Sequence, residues 1–393
     1  MLSTLAFVFV LGVLVLVHEC GHFIVAKLLR VRVEIFSIGF GKKLLGIKKG
    51  NTEYRISLVP LGGYIKLSGD NPEEKRDGQS WEFLSKTPGE RAAIVAAGPA
   101  FNYLVAFLLF TLVFFIGFPN LTAKIGELKD KYPAQTAGIQ VGDRILSVDG
   151  QKVEFWEELS AIIYKKTQGN KISIKIQRED KIFDLSLKPK VETTKNIFGD
   201  DIKIGLIGIM PAQETKMVRF GIIASVRKGA ERIITLTKMT YFSLYRITIG
   251  KMSVRESLAG PVVIFKITGE AAKLGFVYLL QIMAVLSVSL AIINLFPIPV
   301  LDGGHLLFLL CEKIRGKPIS MKVQEIATRI GLSMLVVLML FVFYNDLVRI
   351  GAFEKALRFL TPSEKTTDKV GKDRDIEAQD SLMPETAQTV KGR

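Results

Sequence analysis

Residues 1–17 carry no charged side chain, and the run ends in His18-Glu19-Cys20-Gly21-His22. A stretch of ~20 apolar residues is long enough to cross a bilayer as a helix. In hydrocarbon every backbone polar group must be bonded internally, so a helix is the form such a segment can take. Ionisable side chains at that depth are costly and are rarely kept without a role. Two histidines four apart share one helix face and can hold one metal ion. The glutamate beside the first is then placed to act as a general base on water. The bland alternative is a pair of helix histidines bonded to partners in a bundle core. The chain has only three histidines, and two are in this motif.

Three further apolar stretches follow. Ala92–Ala123 and Leu274–Leu301 are uncharged, and Ile330–Asn345 is shorter and is expected to extend at its ends. With 49% hydrophobic residues among 393, the chain is too apolar for an ordinary soluble domain. The first run lacks a basic leader and a small-residue cleavage site, so it reads as a retained span. Only Cys20 and Cys311 are present, which excludes a disulfide framework and cysteine zinc-finger spacing. The net charge of +15 does not point to nucleic acid, because much of it borders the apolar runs.

Lysine and arginine set the expected orientation. The loop Lys27–Arg91 holds thirteen of them, and the loop after the third span holds Lys313, Arg315, Lys317, Lys322 and Arg329. Both are expected in the cytoplasm. The first and third spans then run inward, and residues 124–273 lie outside. Within them, 123–190 reads as a small α+β domain, with alternating strands at Lys171–Gln177 and Ile182–Lys188 and a helix at Glu157–Lys166. Residues 191–273 read as a linker and amphipathic helices suited to a membrane surface. Residues 353–393 read as a polar, disordered tail.

A zinc site needs a third ligand and an open position. The best region is Asn294-Leu295-Phe296-Pro297-Ile298-Pro299-Val300-Leu301-Asp302-Gly303-Gly304-His305. It ends a span parallel to the first, so both motifs reach the same depth. Pro297 and Pro299 break the helix and let backbone turn toward a cavity. Asp302 and His305 are both possible ligands on spacing. Asp302 could instead cap the next helix, and His305 could be an interfacial neighbour. Gly98, Pro99 and Asn102 open the second span and fit close packing and a kink. The glycine-punctuated region 36–66, including Gly62 and Gly63, reads as hairpins whose free edge could accept an extended peptide.

His18-Glu19-Cys20-Gly21-His22 together with the Asn294–Gly303 motif resembles the site-2 protease family of intramembrane zinc metalloproteases. The likeness is greatest to the bacterial regulator of sigma-E protease type. Phe36-Ser37-Ile38-Gly39-Phe40-Gly41, Pro60-Leu61-Gly62-Gly63-Tyr64-Ile65-Lys66 and Ala97-Gly98-Pro99-Ala100-Phe101-Asn102 carry it further. The resemblance implies Zn2+ held by His18, His22 and Asp302, with Glu19 as base and His305 outside the ligand set. It implies that Asn294 helps to hold the substrate backbone and that 36–66 is a membrane-associated, cytoplasmic β region.

The segments Ile125-Gly126-Glu127, Tyr132–Ile139 and Gly142–Gly150 resemble a PDZ domain of the bacterial protease type. Ile125 and Gly126 would belong to its loop for peptide C-termini. One such domain is found where sigma-E regulators often have two. The expected molecule is therefore an α-helical protein of the bacterial inner membrane. It has about four spans (1–122 and 274–352), a β region at 36–66 and an extracytoplasmic PDZ insert. It would cut single-span membrane proteins such as anti-sigma factors, with remnant signal peptides as a second expected class.

Overall fold

The computed structural model describes residues 1–71, 78–196 and 198–351, the side chains of residues 60, 61 and 256 excepted. The polar tail expected over 353–393 lies outside the described residues. In chain order the elements begin with α1 (Leu2–Leu28), β1 (Val33–Lys49), β2 (Thr52–Leu67) and α2 (Pro88–Ile116). Next come β3 (Phe118–Leu121), β4 (Ile125–Leu128), α3 (Pro133–Thr136), β5 (Arg144–Val148), β6 (Gln151–Lys152) and α4 (Trp156–Tyr164). Six strands follow: β7 (Ile172–Arg178), β8 (Lys181–Leu187), β9 (Lys190–Lys195), β10 (Asp201–Leu206), β11 (Ile209–Pro211) and β12 (Thr215–Val218). The chain then forms α5 (Ile222–Thr248), α6 (Val254–Ser257), α7 (Pro261–Leu274), α8 (Phe276–Asn294), α9 (Asp302–Arg315) and α10 (Met321–Arg349).

Among the described residues, α1, α2, α8 and α10 are long and apolar enough to cross a membrane. Their 19 to 29 residues span about 28–43 Å at 1.5 Å per residue. The mostly helical chain is a multi-pass membrane protein with several small antiparallel sheets. It divides into two compact units. One comprises Met1–Ile116, Phe220–Leu244 and Val254 onward, and the other Gly117–Arg219 with Tyr245–Ser253.

In the first unit, helix contact depends on small residues, because lipid removes the hydrophobic drive between helices. A methyl group on Gly21 of α1 would strike the Ala97 carbonyl of α2. Pro99 inside α2 removes the amide that would bond the Val95 carbonyl. Ser287 of α8 donates to the Asn102 carbonyl at 2.8 Å. Arg91, at the start of α2, forms an ion pair with Glu312 of α9. Asp346, near the end of α10, accepts from the amides of Gly260, Val262 and Val263 and so caps α7.

β1 and β2 pair along a register broken by bulges. Ile35–Ile38 are flanked on one side by Gly63–Lys66, antiparallel, and on the other by Glu53–Ile56, in the same chain direction. Residues 52–57 in turn pair with 43–49. Each long strand thus folds on itself, giving four segments in the order 43–49, 52–57, 33–38 and 62–67. Among the described residues no strand pairs with the outer side of 62–67.

The second unit has a water-soluble core. Its four-stranded sheet runs β6-β5-β7-β8. Alternation in β7 buries Ile172, Ile174 and Ile176, each contributing about 1.5–3 kcal/mol. Leu159 and Ile163 of α4 close the same core. In the stretch expected as linker, the structure has β9 to β12. β11 pairs with β4 and β12 with β3, so this unit runs to Arg219 rather than ending at 190.

Candidate metal centre

His18 and His22 lie one turn apart on the face of α1 that meets α2. Gly98 leaves the room they occupy, since a methyl group there would run into both imidazoles. His22 Nδ1 donates to the Ile94 carbonyl at 2.8 Å, which leaves Nε2 with a free lone pair. The Nε2 atoms of the two histidines are 3.2 Å apart.

Asp302 comes to them from the turn after α8. Gly303 and Gly304 let that turn fold onto α9, because a methyl group on either would strike the carbonyls of Leu295, Phe296 or Ile298. Thr328 of α10 donates to the Pro299 carbonyl at 3.4 Å. Asp302 Oδ2 lies 3.1 Å from His18 Nε2 and 3.6 Å from His22 Nε2. The capping alternative does not hold: α9 has no side-chain cap, and Asp302 Oδ2 is buried without a hydrogen bond.

These three ligand atoms suit zinc. On a tetrahedral ion with bonds of ~2.0–2.1 Å, ligand atoms lie about 3.4 Å apart. The separations here run from 3.1 to 3.6 Å. Two neutral imidazoles and one carboxylate make a three-ligand set of the catalytic kind. Among the described residues His18, His22 and Asp302 form the cluster, and His305 is outside it. His305 sits one turn along α9, its ring edge-on to Phe308.

Glu19 lies within range of the charges of His18 and Asp302. It also meets the β region: a methyl group on Gly63 would lie 3.4 Å from Glu19 Cγ and closer still to the Ser37 carbonyl. Gly62, at φ +135°, has the Phe40 ring where a side chain would stand. Phe40 stacks on Tyr64 at 6.2 Å, and the Arg55 guanidinium lies 5.1 Å from that ring. Asn102 is fully buried on α2 beside His18. Asn294 ends α8, half-buried. Pro297 is exposed and Pro299 half-buried in the turn.

Ile125 and Gly126, expected in a loop for peptide C-termini, begin β4. Ile125 is 1% exposed in the core of the second unit, and Gly126 is pressed against Pro211 and Ala212. Besides a cavity of about 820 Å³ lined by Lys131–Tyr132 and Ser186–Val191 among others, that unit has a groove of about 150 Å³ between α4 and Leu206–Met210. Its walls include Trp156, Leu159, Ile163 and Ile207. Gly208, at φ +81° and packed on Tyr132, forms its turn. The run Ile207-Gly208-Ile209 was the available signal, and its place beside α4 depends on the long-range pairing of β11 with β4.

Comparison with known proteins agrees with this geometry. The model of peptidase family M50 matches residues 6–338. "Putative zinc metalloprotease Atu1380" of Agrobacterium fabrum is 35% identical over 87% of this chain and 94% of its own length. "Putative zinc metalloprotease mll0638" of Mesorhizobium japonicum is 36% identical over 87% and 97%. "Putative zinc metalloprotease Cj1068" of Campylobacter jejuni is 35% identical over 88% and 93%. With three zinc-spaced ligand atoms brought together by the membrane-length α1 and the turn that follows the membrane-length α8, and family likeness along most of its length, the chain belongs to peptidase family M50 and is a zinc metalloprotease.

Proposed function

We propose that the protein is a site-2-type protease of the bacterial inner membrane that cuts single-span membrane proteins within the bilayer. The observation that carries this reading is the convergence of His18 and His22, on the membrane-length α1, with Asp302, from the turn after the membrane-length α8, with Glu19 between them and the segment 62–67, whose outer side no strand pairs among the described residues. In this reading the three residues hold zinc, and His305 does not. When bound, zinc supplies a Lewis acid that polarises the scissile carbonyl and eases ionisation of water.

The chain's own residues do the rest. Glu19 takes the proton of the attacking water on its carboxylate and returns it to the leaving nitrogen as the C–N bond breaks. A substrate helix bonds its own amides, so it must unwind before attack. The open edge at 62–67 offers backbone partners to the extended segment, and Gly62 and Gly63 let it lie close to Glu19. Asn294, with an amide free of hydrogen-bond partners among the described residues, is suited to hold the substrate backbone. Pro297 and Pro299 fix the turn that delivers Asp302, while Gly98 and Pro99 fix the approach of α2.

The regions follow from this. Residues 1–122 and 274–352 form the membrane enzyme, with the motif of α1 toward the cytoplasm. The unit beginning near residue 123 is a single extracytoplasmic PDZ-type domain. It takes peptide C-termini in the groove beside α4 and filters substrates that retain bulky outer domains.

The test is cleavage of a single-span substrate by the purified protein. The reading expects a cut within the span, abolished by a zinc chelator and restored by added zinc. Cleavage that survives the chelator, or falls only outside the span, would contradict it.

A further inference from the structure

The metal ligands are oriented by α2, and one contact there has no role yet. Asn102 is fully buried, its Nδ2 atom lies 3.2 Å from His18 Nδ1, and its Oδ1 atom is buried with no hydrogen-bond partner among the described residues. Its carbonyl accepts from Ser287, so the backbone is held in place while the amide is free to turn about its last bond. The two ends of an amide have nearly the same shape, and which one faces a neighbour is decided by hydrogen bonding.

The chemistry of His18 decides it. To give the Nε2 lone pair to a metal, the imidazole must carry its proton on Nδ1. A protonated Nδ1 needs an acceptor, and an amide N–H₂ is not one. Turning the amide over presents Oδ1 to Nδ1–H. An unpaired amide N–H then takes the buried position of Oδ1, a smaller penalty than a lost metal ligand. His22 is already provided for by the Ile94 carbonyl, so α2 would serve both ligands, once through its backbone and once through a side chain.

We infer that Asn102 is a positioning residue: its Oδ1 accepts from His18 Nδ1–H and holds the imidazole with Nε2 toward the metal. The inference rests on the reading of His18 as a zinc ligand. Outer partners of this kind are worth about 10–100-fold in metal affinity.

The experiment is zinc affinity of the purified full-length protein, by competition with a chromophoric chelator, for the parent, Asn102→Leu and Asn102→Asp. Thermal unfolding is followed in parallel. Asn102→Leu removes the acceptor and is expected to weaken zinc about 10–100-fold. Asn102→Asp offers only acceptors and is expected to hold zinc at least as tightly as the parent. A folded Asn102→Leu with parental affinity would overturn the inference. If Asn102→Leu does not fold, Asn102→Asp decides alone: retained affinity supports the acceptor role, and weakened affinity contradicts it. A parent that binds no zinc brings down the metal centre itself, whereas a zinc-binding parent with an indifferent Asn102→Leu overturns only this inference.

Discussion

The two units of the chain expose different kinds of residue. In the second, the isoleucines of β7 are inside, and Lys171, Ser173 and Lys175 are outside. In the first, α2 leaves Leu104, Leu108 and Leu112 exposed at 40–54%, while His18, His22, Asn102 and Ser287 are buried. The difference teaches that the first unit is folded for a solvent of hydrocarbon. Lipid accepts leucine on the outside, and the costly polar groups gather inward, where they can partner one another or a metal. A hydrolytic centre is therefore shielded by the same arrangement that makes the helices membrane spans.

The largest expected effect separates chemistry from both folds. Glu19→Gln should lower cleavage by about 10²–10⁴-fold, the usual worth of a general base, while zinc content and unfolding temperature stay parental. Loss of zinc in this variant would mean that Glu19 is structural. Next, a lysine introduced on the outer face of each unit should have opposite effects. Leu108→Lys places a charge against lipid and should cost ~2.5–3.5 kcal/mol in insertion, read as a drop in membrane-integrated protein. Ile182→Lys, on the exposed face of β8, should change stability by no more than ~0.5 kcal/mol. Equal tolerance of the two would break the comparison.

Glycines sharpen it further. Gly98→Ala drives a methyl group into the imidazoles, an overpacking worth ~1–3 kcal/mol. It should appear as weakened zinc binding by metal analysis. Gly150→Ala meets open space but sits at φ +77°. It should cost ~1–2 kcal/mol of backbone strain, seen in thermal unfolding, with zinc content unchanged.

The smallest effect concerns the second unit alone. The Lys124 ammonium bonded to Glu214, helped by Arg144, holds that carboxyl below the usual carboxylate range. Its contribution is present above the unfolded pKa and is lost as pH falls through the folded one. Acid unfolding of Glu214→Gln should accordingly lack that loss at low pH. An acid-unfolding profile identical to the parent's would show that the ion pair adds nothing.

Much of the first unit was legible because its signals are local. Uncharged runs near 20 residues mark spans, and the four-residue interval from His18 to His22 marks one helix face. Asp302 and His305 could not be separated on spacing. The choice between them comes from a turn that only Gly303 and Gly304 allow and from the missing cap bond on Asp302. The glycines of 36–66 announced hairpins, but not that Ile35–Ile38 would lie between two other segments. In the second unit, β7 and β8 showed their alternation, whereas β11 and β12 are short and acquire strand structure by pairing with the distant β4 and β3. The same holds for the groove at Leu206–Met210, which no local pattern tied to α4.

The most direct test of the central claim is the zinc environment of the purified protein by X-ray absorption, for the parent and for Asp302→Ala. The parent should show two imidazole nitrogens with carboxylate or water oxygen at ~2.0–2.1 Å, and the variant a loss of zinc or of one oxygen. A sulfur ligand at ~2.3 Å, or a spectrum unchanged by Asp302→Ala, would contradict the claim.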